Sequence, residues 1–77
     1  MSINSNSSKK LGINIKLERV KRGWTQDKLA ELADVNKNTI SSIERGSWST
    51  SIDTLAKIAD AFGMTISKLT DLSNVEI

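Results

Sequence analysis

From Thr25 to Gly46 the chain reads TQDKLAELADVNKNTISSIERG. Two short helical periods lie on either side of Asp34-Val35-Asn36. In the first, Gln26–Ala33, the spacing puts Leu29, Leu32 and Ala33 on one face, with Thr25 as N-cap and Asp27 in the first turn. In the second, roughly Lys37–Arg45, Ile40, Ile43 and Glu44 share a face, Asn36 caps the start and Gly46 closes the end. Ala30 is small where the two helices must cross, and Val35 plugs the turn between them. The outward positions of the second helix, Lys37, Asn38, Thr39, Ser41, Ser42 and Arg45, carry no apolar group larger than a methyl. Such a face is made to exchange hydrogen bonds rather than to be covered.

The rest of the chain continues in the same idiom. A first helix is expected from about Lys9 or Lys10 to Arg22, with Lys21 and Arg22 against the negative end of its dipole and Gly23 beyond it. Ser51 caps a fourth helix, Ile52–Phe62, in which Ile52, Leu55, Ile58, Ala59 and Phe62 follow the i, i+3, i+4, i+7 rule. Thr65 caps a fifth, Ile66–Leu72, with Ile66, Leu69 and Leu72 inward. There is no proline and no sustained period-2 run of β-branched residues, so a sheet is not expected. The fold class is all-α, a five-helix bundle. Residues 1–8 are expected as a flexible polar arm, 9–72 as the folded domain and 73–77 as a frayed tail. Helix one leaves its register open, because Leu11, Ile15 and the stem of Arg19 form one apolar stripe while Ile13, Leu17 and Val20 form another on nearly the opposite side.

Composition removes most alternatives. The chain has 77 residues, enough for one small domain, with 38% hydrophobic and 26% charged residues, as in soluble globular proteins. It has no Cys, His or Tyr, so disulfides, zinc sites, imidazole bases and thiol nucleophiles are excluded. An enzyme is not expected, and neither is a metal or other cofactor. No apolar run reaches the length of a membrane span or a signal peptide, so the expected location is cytoplasmic and nucleoid-associated. Charge is unevenly distributed. Residues 1–57 hold ten Lys/Arg against six Asp/Glu, and residues 58–77 one lysine against three acids. A basic N-terminal half suits a polyanion on one face.

Two short helices about a tight turn, the second of them polar outward, form the helix-turn-helix arrangement whose second helix enters the DNA major groove. At this spacing the chain resembles the Cro/CI-type helix-turn-helix domain, the XRE family. The residues that carry the likeness are Arg19 followed by Gly23-x-Thr25-Gln26, Leu29-Ala30, Val35, Ile40-Ser41-x-Ile43-Glu44-Arg45-Gly46 and Leu55-x-x-Ile58-Ala59-x-x-Phe62-Gly63. It covers about Leu11 to Leu72 and implies a lambda-repressor-like bundle, similar to small phage repressors and restriction–modification controller proteins. It implies that Lys37, Asn38, Ser42 and Thr39 read bases, Asn38 suited to adenine and Lys37 to guanine. It also implies that Gln26 binds a phosphate. Asn36, Arg45, Ser47 and Ser49 are further phosphate candidates, and Asn36 is in any case a cap. Arg19 and Glu44 match a paired position in the family that ties helix one to the recognition helix, with a secondary phosphate role for Arg19.

The departures from the family pattern matter too. Asp34 stands where the family often has a glycine with positive φ. Glu18 falls where an apolar residue is common. The loop Ser47–Ser51 lacks the basic residues many relatives place there, and Trp48 has three readings: stacking on the backbone, a dimer contact or a satellite core position. Trp24 is expected in the core. The function expected is a sequence-specific double-stranded DNA-binding transcriptional regulator, a homodimer joined through Ile66, Leu69 and Val75, with no small-molecule effector. The rival is a protein-interaction module, such as an antitoxin or anti-repressor partner, using the helix-one stripe or helix five.

Overall fold

In the computed structural model, residues 5–47, 50–73 and 75 are described, and all five of the expected helices form, with no strand among the described residues. They are α1 (Ser5–Lys21), α2 (Gln26–Ala33), α3 (Lys37–Glu44), α4 (Ile52–Phe62) and α5 (Ile66–Leu69). Local chemistry sets most of their starts. The Thr25 hydroxyl accepts from the Lys28 N–H at 3.0 Å, the Asn36 side-chain oxygen from Asn38 at 2.7 Å, the Ser51 hydroxyl from Thr54 at 3.1 Å and the Thr65 hydroxyl from Lys68 at 3.0 Å. Each satisfies a backbone donor that the first helical turn leaves without a partner.

The ends of α1 to α4 share one geometry. A residue in the left-handed region donates back to a carbonyl three residues earlier, and the next residue donates five residues back: Asp34 to Glu31 and Val35 to Ala30, for example. This double bond pattern needs positive φ. Gly23, Gly46 and Gly63 supply it at 73°, and Asp34 takes it at 56° with a side chain attached. The turn of the helix pair is therefore formed, at the modest conformational cost a short polar residue carries there.

Four boundaries differ from expectation, the smallest being the end of α1 at Lys21 rather than Arg22. α1 begins at Ser5 rather than Lys9 or Lys10, inside the segment expected as an arm, since each residue added to an existing helix gains a hydrogen bond without a new nucleus. α3 stops at Glu44, one residue before Arg45. α5 stops at Leu69, where the Thr70 hydroxyl bonds back to the Ile66 carbonyl at 2.8 Å, a local alternative to helix continuation.

The core gathers Ile15, Leu29, Ile40, Ile58 and Leu69, all with no exposure, with Ala30, Ala33, Ile43, Leu55, Ala59 and Phe62 around them. Trp24 packs partly buried against it, its ring stacked on Phe62 at 5.8 Å. Two expected core residues are outside. Leu32 is 44% and Ile52 64% exposed, because each sits at the margin of its helix's apolar arc, where a small shift of rotation decides burial. Arg22 closes the end of the bundle: its guanidinium lies 4.7 Å from the Phe62 ring, donates to the Phe62 carbonyl at 2.9 Å and pairs with Glu18 at 2.7 Å. That bond to Arg22 is the main reason the Glu18 carboxyl titrates below its ordinary range, so its contribution to stability is present above about pH 4.5 and fades as pH falls through the lowered value.

The register of α1 is settled by a glycine. The Leu11/Ile15/Arg19 stripe faces inward, and Leu17 and Val20 are each 55% exposed. Gly12 lies against the last turn of α3, where a Cβ would stand 2.3 Å from the Ile43 carbonyl oxygen and 2.8 Å from that of Glu44. The backbones of the two helices touch there. On an open helix face Gly→Ala stabilises by roughly 1 kcal/mol. Here Gly12→Ala is expected to destabilise by about 1–3 kcal/mol through overpacking against backbone, read as a fall in Tm; a rise would place the two helices farther apart than described.

Candidate nucleic-acid interface

α3 is held from three directions. Ile40 and Ile43 are buried beneath it, Gly12 lets α1 meet it closely, and Glu44 at its end gathers side chains from two other elements. Arg19 on α1 donates to both Glu44 carboxylate oxygens, Nε at 2.7 Å and Nη2 at 3.0 Å. Gln26, the first residue of α2, donates to the same carboxylate at 3.1 Å. The third Arg19 nitrogen donates to the Trp24 carbonyl at 2.8 Å. With side-chain exposures of 12% for Arg19 and 4% for Glu44, this is a desolvated, bidentate pair. The Glu44 bond holds the Arg19 guanidinium above its already high pKa, against the opposing effect of burial, so the charge is permanent in water.

The expected Arg19–Glu44 tie is therefore present in the geometry. The same geometry gives Arg19 a structural place: each of its three nitrogens has a partner within the chain, and little of it meets solvent. Gln26 is drawn into the knot as well, with one of its two amide hydrogens on Glu44.

What projects outward is polar. Lys37 and Asn38 are exposed at the N-terminal end of α3. Lys37 makes a loose contact of 3.7 Å with Asp27 in the first turn of α2, with both side chains more than half exposed, a pairing worth little in water and easily exchanged. Ser42 and Arg45 lie on the same face, and the Arg45 guanidinium bends back to donate to the hydroxyls of Ser41 and Ser42. Thr39 is half-buried at the flank. Asn36 spends its side-chain oxygen on the cap. Ser47 closes the other end, its N–H at 3.2 Å and its hydroxyl at 3.3 Å from the Ser42 carbonyl. Ser49 and Trp48 lie outside the described residues.

Sequence reasoning missed the Asp27–Lys37 contact and the seat of Gly12 against α3. The second had a signal: a glycine inside a helix is costly unless something approaches its face closely.

Of the three residues expected to join two copies, two are buried within the single chain and the third partly so. Leu69 has no exposure and is core; Val75 is 9% exposed, and Ile66 packs partly buried against the same core. α5 turns its i, i+3 pair onto its own bundle, and Asn14 of α1 fastens it by donating to the Leu69 carbonyl at 2.8 Å. Among the described residues no group of His, Cys, Asp and Glu could hold a metal ion, and no helix is long and apolar enough to cross a membrane.

Comparison with known proteins points the same way as the geometry. A family model described as helix-turn-helix matches residues 15–69. A hypothetical transcription factor of Neisseria meningitidis is 32% identical over 59 residues, 77% of this chain and 56% of that protein. The competence pilus inhibition repressor of Acinetobacter baylyi is 32% identical over 59 residues, 77% of this chain and 54% of its own length. The chain thus spans about half the length of these curated relatives. Among solved structures, the restriction-modification controller protein C.AhdI from Aeromonas hydrophila superposes with a TM-score of 0.78 at 26% identity, covering 80% of this chain and 94% of its own.

Proposed function

Since the chain belongs to the helix-turn-helix family, we propose that it is a sequence-specific double-stranded DNA-binding transcriptional regulator acting as a symmetric pair. The observation that carries this reading is the contrast across α3: isoleucines fully buried beneath it, and Lys37, Asn38, Ser42 and Arg45 on the side away from them. α3 enters the major groove by its N-terminal end. Lys37 and Asn38 address base edges, an amide being able to pair bidentately with adenine N6/N7 and an ammonium to donate to guanine O6/N7. Ser42 follows one turn later and Thr39 offers its methyl at the flank.

Phosphates are met by groups that fix register without reading sequence. Gln26 uses its second amide hydrogen at the N-terminus of α2, where the helix dipole also favours an anion. Asn36, Arg45, Ser47 and Ser49 complete the set, and Arg45 leaves its two serines to do so. Because few full positive charges lie along this contact, the salt dependence is shallow for the class.

The size of the molecule supports the pairing. The molecule's longest dimension is 33 Å, and it has one recognition helix, whereas major-groove faces on one side of DNA recur about every 34–36 Å. Two copies reach two such faces; one does not. Regulation follows by occluding polymerase or by touching it.

The test is selection of bound sites from a random double-stranded DNA library by the full chain. The expected product is a near-palindrome whose half-sites are centred about 10–10.5 base pairs, or a multiple of that, apart. Enrichment of no sequence over the starting library would overturn the reading.

A further inference from the structure

Asp27 follows Gln26 at the start of α2. It is exposed, and its carboxylate lies 3.7 Å from the ammonium of Lys37, the first residue of α3. The starts of the two helices therefore present an acceptor and a donor side by side, at the end of α3 that addresses the groove. One turn farther along α2, Glu31 stands beside Lys28 at 3.9 Å instead.

A carboxylate can only accept. Neither phosphates nor deoxyribose within a strand offers it a donor, so an acid held against DNA is either repelled by phosphate or accepts from a base amine. In the major groove those amines are cytosine N4 and adenine N6. A G·C pair presents guanine N7, guanine O6 and cytosine N4 in turn: acceptor, acceptor, donor. O6 and N4 are hydrogen-bonded to each other, so they stand about 2.9 Å apart. Two groups 3.7 Å apart fit above them. The ammonium has three hydrogens and donates to N7 and O6, and the carboxylate accepts the free hydrogen on N4. A T·A pair keeps the O4 acceptor and N6 donor in that order but puts a methyl where N7 would be. A·T and C·G pairs set the carboxylate opposite an acceptor.

From this match we propose that Asp27 is a base-reading residue that, together with Lys37, reads a single G·C pair on both of its strands. The inference rests on the reading of α3 as the DNA-recognition helix and adds to it a residue of α2.

The experiment is site selection from a random double-stranded library, run in parallel on the full chain, Asp27→Ala and Glu31→Ala. The parent is expected to prefer G·C at one position of each half-site, with T·A second. Asp27→Ala is expected to return a site of the same length and symmetry. At that one position its preference falls by about tenfold or more, as for a lost hydrogen bond to a charged group. Glu31→Ala removes the same charge from the same helix and is expected to return the parent's site unchanged. Both variants fold, because the α2 cap runs from the Lys28 N–H to Thr25 and uses neither acid; circular dichroism checks this. The proposal is overturned if Asp27→Ala keeps the parent's base frequencies at every position. It is equally overturned if the two acid variants change the selection alike, since net charge alone would then be acting. A parent that selects no site at all sinks the reading of α3 itself, and this inference with it, whereas a selected site indifferent to Asp27 sinks this inference alone.

Discussion

Glu44→Ala is expected to lower the unfolding free energy by about 3–5 kcal/mol. The substitution leaves the Arg19 guanidinium, 12% exposed, beside an apolar methyl, with the Trp24 carbonyl as its remaining acceptor. It also takes from Gln26 the oxygen its amide donates to. A domain of this size has in all about 4–12 kcal/mol of stability, so the loss is a large share of it. In a chain this short it corresponds to a fall in Tm of at least about 12 °C. Urea unfolding followed by circular dichroism, at a pH where the carboxylates are ionised, gives the number directly. A loss under about 1 kcal/mol would mean that the pair is hydrated like a surface pair, contrary to the 4% exposure of Glu44. The companion variant, Arg19→Met with Glu44→Leu, separates two meanings of the result. Replacing both charges with apolar groups is expected to restore most of the stability, because the large effect of the single change comes from stranding a charge.

That knot was partly visible in the sequence and partly not, for a physical reason. Caps are local. Thr25, Asn36, Ser51 and Thr65 each act on an N–H two or three residues away, so residue type and neighbourhood suffice to place them. The inward face of α4 was legible for Leu55, Ile58, Ala59 and Phe62, which allow a single rotation, but not for Ile52 at its margin. α1 was not, since two stripes compete and periodicity weighs them alike. What decides between them is a contact between helices distant in sequence, Gly12 against Ile43 and Glu44; the glycine inside a helix signals that something comes close, but not what. Leu69 shows the same limit from the other side. An apolar residue on a short terminal helix reads the same whether it faces its own bundle or a second copy, and here Asn14 draws α5 onto the bundle. The outward residues of α3 were readable because a polar face above buried isoleucines has one stable orientation. The sequence pattern does not contain the loan of Lys37 to Asp27, or of Ser42 to Arg45, because those depend on how neighbouring side chains settle in the absence of a partner.

Lys37→Ala combined with Asn38→Ala is expected to abolish preference for the selected site while leaving the fold intact. Both side chains are exposed. The bond that caps α3 runs from the Asn38 backbone N–H to Asn36 and survives the change, and the Lys37–Asp27 contact at 3.7 Å is of the kind worth under about 1 kcal/mol. Unfolding free energy should therefore stay within about 0.5 kcal/mol of the parent, as for surface positions generally. Binding is different. A good bidentate base contact discriminates by about 1–3 kcal/mol, so losing two weakens the specific complex by about 2–6 kcal/mol for each recognition helix. On a duplex of scrambled sequence Asn38 has no base to read, and removing Lys37 takes away at most one cation near a phosphate. There the loss should be small, with the slope of log K against log salt reduced by about 0.9 per copy. Fluorescence anisotropy on the selected and the scrambled duplex, at several salt concentrations, measures both quantities in one series. If the two duplexes lose affinity equally, Lys37 and Asn38 act on the DNA backbone and base reading lies elsewhere on the surface. If the selected duplex alone loses it, down to the level of the scrambled one, these two side chains carry the discrimination and the buried isoleucines below them serve to aim it.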